Sequence, residues 1–161
     1  MPIPLDSDHP DVIMLPPLIL LIALVVAVVL EFTNILHFLP PISEMGWALY
    51  AGLALLVVAL ALGVSALRTF TKLGTNPSPH QPSLKLATTG PYRFTRNPMY
   101  LGFGLILAGL SLIFSLDWGV ILVPVLALLL HYGVVIREEA YLTAKFGQPY
   151  RDFLGRTRRW L

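Results

Sequence analysis

The chain contains no cysteine, which excludes disulfides, thiolate nucleophiles and cysteine metal ligands at once. Charge is scarce as well: 12% of its 161 residues are Asp, Glu, Lys or Arg, against 56% apolar ones. A soluble domain of this size could not keep so much apolar surface from water, and the mean hydropathy is +0.74. Disorder and nucleic-acid binding are excluded on the same ground, because both need a polar, charged chain. Basic residues are missing ahead of the first apolar run, where Asp6, Asp8 and Asp11 stand instead, and Glu31-Phe32-Thr33-Asn34 follows it. A cleavable signal peptide needs basic residues before the run and small ones after it, so this run is expected to remain as a helix. There is no internal repeat and no low-complexity tract besides the apolar runs.

What is present is a set of long uncharged intervals. Four of them, 12–30, 45–67, 97–116 and 118–136, hold 19, 23, 20 and 19 residues, each enough to cross a bilayer as a helix. The expectation is a single all-α membrane domain over 1–161 with four transmembrane helices, the third and fourth forming a tight helical hairpin about Asp117. All 11 basic residues then fall on one face. Arg68, Lys72, Lys85, Arg93 and Arg96 lie in the long loop, and Arg137, Lys145, Arg151, Arg156, Arg158 and Arg159 in the tail. The positive-inside rule puts that loop and both termini in the cytoplasm.

Inside the intervals almost nothing ionises. His131 is the exception, and ion-coupled transport usually needs more, so it is read as hydrogen-bonded packing. Gly102, Gly104, Ala108 and Gly109 permit close helix contact. Chemistry is therefore expected at the cytoplasmic ends of the third and fourth helices, after a loop (Asn76-Pro77-Ser78-Pro79-His80-Gln81-Pro82) whose prolines disfavour helix.

Two clusters stand there. Gly90-Pro91-Tyr92-Arg93-Phe94-Thr95-Arg96-Asn97-Pro98-Met99-Tyr100-Leu101-Gly102 opens the third helix, with Asn97 expected as N-cap to the Met99 or Tyr100 N–H and Pro98 as the first helical residue. A helix start flanked by arginines also attracts a carboxylate or phosphate, and the two tyrosines offer faces to a cation or a purine. Arg137-Glu138-Glu139 forms the second cluster. The fourth helix is expected to run on to Phe146, about 13 Å beyond a 30 Å core, and to stop at Gly147 before Pro149. The two acids then sit just above the membrane. Beyond them, Tyr150, Phe153, Leu154 and Trp160 alternate with arginines, a composition suited to an anionic interface and read as a membrane anchor, the alternative being a lid over a site.

These blocks resemble the membrane methyltransferases typified by isoprenylcysteine carboxyl methyltransferase and phosphatidylethanolamine N-methyltransferase. Leu86-Ala87-Thr88-Thr89-Gly90-Pro91-Tyr92-Arg93 leading into Arg96-Asn97-Pro98-Met99-Tyr100-Leu101-Gly102 looks like that family's first block, with Asn97 where histidine is frequent. Arg137-Glu138-Glu139 with Phe146-Gly147 and Tyr150 looks like its second, so the resemblance covers about 84–160. It implies S-adenosylmethionine at the cytoplasmic ends of helices three and four. Leu86, Ala87, Tyr92, Arg96, Asn97, Pro98, Met99, Tyr100, Gly102, Glu138 and Glu139 would then bind the cofactor, and Arg137 would orient the acceptor. No metal is implied. Membrane lipids are the expected surroundings, and the acceptor would be a lipophilic or small molecule, such as a prenylcysteine carboxylate or a phospholipid amine. Two other readings compete: a non-enzymatic four-span lipid-binding or assembly protein, and a relative of the membrane sterol reductases that bind a nicotinamide cofactor.

Overall fold

The computed structural model describes residues 9–44, 46–76 and 81–160. Asp6 and Asp8, Met45 at the expected start of the second span, and Pro77, Ser78, Pro79 and His80 of the proline-rich loop lie outside the described residues. Six α-helices account for most of the rest: α1 (Pro16–Glu31), α2 (Gly46–Leu73), α3 (Pro98–Ile113), α4 (Asp117–Leu130), α5 (Ile136–Phe146) and α6 (Gln148–Arg156). No strand occurs among the described residues; Thr95 and Arg158 make an isolated parallel bridge.

Among the described residues two helices are long and apolar enough to cross a membrane. One is α2, with 28 residues; the other is the continuous 30-residue helix Asp117–Phe146, which joins α4 to α5 through a π turn at His131–Val135. The apolar part of this second helix ends at Ile136, so Arg137, Glu138 and Glu139 project beyond it. The other two apolar helices are shorter than the uncharged intervals that announced them, at 16 residues each, or about 24 Å. Local chemistry explains the shortening. Pro16 and Pro17 start α1 and hold the preceding residues extended, while Ser115 takes a φ of 51° and ends α3.

The opposite deviation occurs at α2, which runs six residues past its apolar interval. Arg68 and Lys72 are good helix formers, and charge marks where a membrane ends rather than where a helix does. The stop is Gly74, whose φ is 64°. Thr75 N donates to Phe70 O at 3.2 Å and Gly74 N to Thr71 O at 3.1 Å, the paired bonds of a Schellman motif.

Packing is close where side chains are small. A Cβ on Gly52 would lie 2.7 Å from the Gly109 carbonyl oxygen, and one on Gly109 2.9 Å from that of Gly52, so α2 and α3 meet backbone to backbone. Helices α3 and α4, joined by residues 114–116, pack against each other, and α1 lies against α4 and α3. Leu107, Leu126, Leu130 and Val134 are fully buried between them, with Ile19 and Leu20 of α1. Outward faces carry exposed Leu21, Val29, Val57, Leu60, Leu128 and Leu129. At one end of the bundle the buried Asp117 carboxylate accepts from Leu39 N at 2.8 Å and Phe38 N at 3.3 Å, and Ser115 Oγ donates to Pro40 O at 2.6 Å. These contacts pin the 32–46 connection. The other end gathers the basic residues and the candidate site.

Candidate active site

Beyond α2, residues 83–85 are held by side chains of Thr75 and of α5. Thr75 Oγ1 accepts from Leu84 N at 2.9 Å and Lys85 N at 3.4 Å, and Tyr141 Oη accepts from Ser83 N at 3.3 Å. This returns Leu86 and Ala87 to the end of α2. At Gly90 the backbone takes a φ of 61°, and a Cβ there would meet Thr69 Oγ1 at 2.7 Å. Both the conformation and the close approach demand glycine. The following turn (Gly90–Arg93) buries Tyr92 edge-on against Phe70, with ring centroids 5.6 Å apart.

Asn97 precedes α3 as expected but does not cap it. Its side-chain amide donates to Arg159 O at 2.9 Å, and no side-chain cap bond forms. The C-terminal tail is the reason. It runs beside this segment, with Arg96 N donating to Arg158 O at 2.9 Å and Thr95 Oγ1 to Arg159 O at 3.2 Å, and its carbonyl claims the amide. The backbone N–H groups of Met99 and Tyr100 therefore face outward from the helix start without the Asn97 oxygen, where a helix favours an anion.

The two acids of α5 have unlike partners. Glu138 is partly buried, and its Oε1 accepts from Tyr100 Oη at 2.6 Å. Burial pushes the Glu138 carboxyl up to about 7; the Tyr100 bond opposes that rise and the neighbouring Glu139 adds to it. Glu139 is held by two arginines. Arg159 donates from Nε at 3.0 Å and Nη2 at 2.7 Å, and Arg96 Nη2 lies 3.2 Å from Oε1. Glu139 in turn raises the Arg159 guanidinium above its ordinary value. Arg96 also donates from Nη1 to Leu154 O at 3.1 Å, while its Nε is buried with no partner among the described residues. Burial raises the phenols of Tyr92 and Tyr150, with Glu138 adding at Tyr92 and Glu139 at Tyr150.

These groups surround a cavity of about 110 Å³. Of the residues singled out by sequence, Leu86, Ala87, Tyr92, Arg96, Asn97, Pro98, Met99, Tyr100, Glu138 and Glu139 line it. Gly102 and Arg137 are not among its lining. Gly102 faces α2, where a Cβ would lie 3.5 Å from Ala59 O. Arg137 is exposed, and its Nη1 donates to Asp11 O at 2.8 Å. His131 also stands away from the cavity. Instead of the expected hydrogen-bonded packing, its ring lies against Tyr132 and Trp160, at 4.8 and 6.2 Å between centroids, and its buried Nδ1 has no partner among the described residues.

Phe70, Tyr141, Tyr150 and Phe153 are among the further residues of the cavity wall that had not been assigned to it from sequence. For Tyr150 and Phe153 the alternation of aromatics with arginines was a visible signal, read as a membrane anchor with a lid over a site as the alternative. Tyr141 and Phe70 gave none. Among the described residues no group of three or more His, Asp or Glu is placed to hold a metal ion.

The family model for phospholipid methyltransferases matches residues 47–149, which span α2 through the first residues of α6 and include the first block and all of the second but Tyr150. An uncharacterized protein of Haemophilus influenzae is 42% identical over 66 residues, which are 39% of this chain and all of that protein. No solved structure matches the chain. With the family's pattern spread over well more than half of the chain, the chain belongs to the phospholipid methyltransferase family.

Proposed function

We propose that the protein transfers a methyl group from S-adenosylmethionine to a lipophilic acceptor at the cytoplasmic face of a membrane. The observation that carries this reading is the donor and acceptor set of the cavity. An uncapped helix start and the unpartnered Arg96 Nε face a carboxylate, and the second oxygen of Glu138 faces an ammonium or a ribose hydroxyl. The aromatic rings of Tyr92 and Tyr150 suit a purine or a sulfonium. When bound, the cofactor would supply the electrophilic methyl group and its own leaving group. This chain would then align, desolvate and hold charge. Phe70, Tyr92, Tyr150 and Phe153 exclude water from one side, and Tyr100 Oη orients Glu138. An acceptor amine must shed a proton, and with both Glu138 oxygens engaged that proton passes to solvent. A carboxylate acceptor needs no base, and the exposed Arg137 would steer it. Glu139 acts through Arg96 and Arg159 as a clamp on the tail.

In this reading α1 and α3 also span the bilayer, lengthened by the extended apolar residues beside them, and the basic end is cytoplasmic. Titration of the detergent-purified protein with S-adenosylhomocysteine by calorimetry tests the cofactor without knowledge of the acceptor. Micromolar binding is expected. Glu138→Gln should weaken it roughly 10- to 100-fold, as loss of a hydrogen bond to a charged group does. Absence of binding by the wild type would remove the enzymatic reading and leave a lipid-binding or assembly protein.

A further inference from the structure

The strap that ends the chain has an outer face which the candidate site does not use. Beyond α6 the backbone is extended at Thr157, so successive side chains turn to opposite sides. Thr157 is buried, and Arg159 turns inward to Glu139 while its carbonyl receives the Asn97 amide. Arg158 between them is exposed, as is Arg156 at the end of α6. Thr95 and Arg158 form a parallel bridge, with Arg96 N donating to Arg158 O at 2.9 Å, and this lays the strap beside Arg93 and Phe94. Arg93 is exposed and Phe94 is 79% exposed. None of the three arginines pairs with a carboxylate among the described residues.

The level of these residues in the bundle decides what they meet. The apolar interval of α2 ends at Leu67, and the Gly90 turn packs on Thr69, two residues farther on, about 3 Å at 1.5 Å per residue. The Trp160 ring lies against His131, whereas the apolar part of that helix continues to Ile136, about 8 Å beyond. The end of the strap is therefore level with apolar helix, and the turn beside it falls in the headgroup layer, roughly 5–7 Å deep on each side of the hydrocarbon. Counter-charge from the protein is scarce at this level. Glu138 is bonded to Tyr100 and Glu139 to two arginines, and the exposed Asp152 accepts from Gln148 Nε2 at 2.7 Å.

We infer that Arg93, Phe94, Arg156 and Arg158 form a docking surface for anionic phospholipid headgroups, and that a charged membrane thereby holds the strap in place over the candidate site. The surface itself needs no enzymatic reading; what the strap covers rests on the methyltransferase reading. Arginine presents a fork of donors that matches a phosphate, and an exposed phenylalanine at this depth enters the boundary between headgroups and acyl chains. That depth favours a lipid over a soluble polyanion such as a nucleic acid, which would leave Phe94 in water. A basic side chain near an anionic membrane surface contributes roughly a fivefold factor in binding. Three of them give a preference for an anionic over a zwitterionic surface on the order of 100-fold.

The test places the full-length protein in nanodiscs of phosphatidylcholine, alone or mixed with phosphatidylglycerol, and follows amide hydrogen exchange by mass spectrometry. Phosphatidylglycerol should slow exchange of residues 156–160 severalfold and leave α3 unchanged. The double variant Arg93→Gln/Arg158→Gln should lose most of this response, its unchanged α3 exchange showing that it folds. Arg68→Gln/Lys72→Gln takes the same charge from α2 and should keep the response. A wild-type strap that exchanges equally in both discs overturns the proposal. So does an equal loss in the two double variants, since net charge alone would then explain the effect, and so does equal protection by a single-stranded oligonucleotide added to phosphatidylcholine discs. A strap that responds to phosphatidylglycerol in protein that binds no S-adenosylhomocysteine would keep the lipid surface and refute the methyltransferase reading instead.

Discussion

Replacing Glu139 with alanine removes the carboxylate that gathers two guanidiniums, and the burial of each partner sets the cost. The Arg96 and Glu139 side chains are 12% and 14% exposed, whereas Arg159 is 37% exposed. In Glu139→Ala the Arg96 group keeps its bond to Leu154 O but loses its counter-charge. Deleting one partner of a fully buried pair costs about 3–5 kcal/mol; the surviving bond and slight exposure bring this case to about 2–4 kcal/mol. Arg159→Ala leaves Glu139 paired with Arg96 and removes a partner that water already reaches, so about 1 kcal/mol is expected. The double variant should be little worse than Glu139→Ala, because Arg159 then has no carboxylate left to lose. Unfolding by sodium dodecyl sulfate in mixed micelles, followed by tryptophan fluorescence, gives these differences; 2–4 kcal/mol is roughly a 30- to 1,000-fold change in the folding equilibrium. The reasoning fails if Arg159→Ala is as damaging as Glu139→Ala, or if Glu139→Ala matches the wild type.

Glu138 should show the reverse balance between stability and binding. Its folded carboxyl titrates at about 7, above the roughly 4.3 of an unfolded chain, so the folded state holds the proton more tightly and stability falls as pH rises between those values. Glutamine cannot ionise, so Glu138→Gln should match the wild type near pH 4, exceed it in thermal stability at pH 8, and still lose S-adenosylhomocysteine affinity; a lower melting temperature than the wild type at pH 8 would contradict the assignment. At the helix contact, Gly52→Val forces atoms into the Gly109 carbonyl and the Ile113 side chain, which a Cβ would approach at 2.7 and 2.6 Å. Overpacking of this kind costs about 1–3 kcal/mol or more, seen as lost monodisperse protein in size-exclusion chromatography. Gly104→Ala, whose Cβ meets nothing within 4 Å, is the control and should behave as wild type.

The sequence disclosed the helical frame because absence of charge over some twenty residues is a direct record of the solvent a segment meets. It disclosed helix ends less well, since Arg68 and Lys72 leave the apolar zone without leaving the helix, and Ser115 ends α3 by its backbone conformation. Most of the residues assigned to the cofactor site do converge on one cavity, because the resemblance fixed two blocks whose spacing the α3–α4 hairpin reproduces. The errors lie where partners come from distant chain. Asn97 has the composition of a cap, yet the Arg159 carbonyl takes its amide. Gly102 belongs to the first block in sequence, yet it faces Ala59 of α2 rather than the cavity. Tyr141 carries no local signal at all, since its role is to receive the Ser83 N–H across a long separation.

The π turn at His131–Val135 has a consequence for how the long helix can vary. Such a turn accommodates one residue more than an α turn of the same reach, so the 30-residue helix is longer in sequence than its course through space requires. Its two halves are therefore phased separately. The portion before the turn presents Leu122, Val125 and Leu129 to an apolar groove against α1, and the portion after it presents Glu138 and Glu139 to the cavity. A substitution that tightened the turn to α geometry would leave the first half in place and swing both carboxylates about 100° around the axis. Deletion of one residue there would instead be absorbed, closing the turn with both faces still aimed.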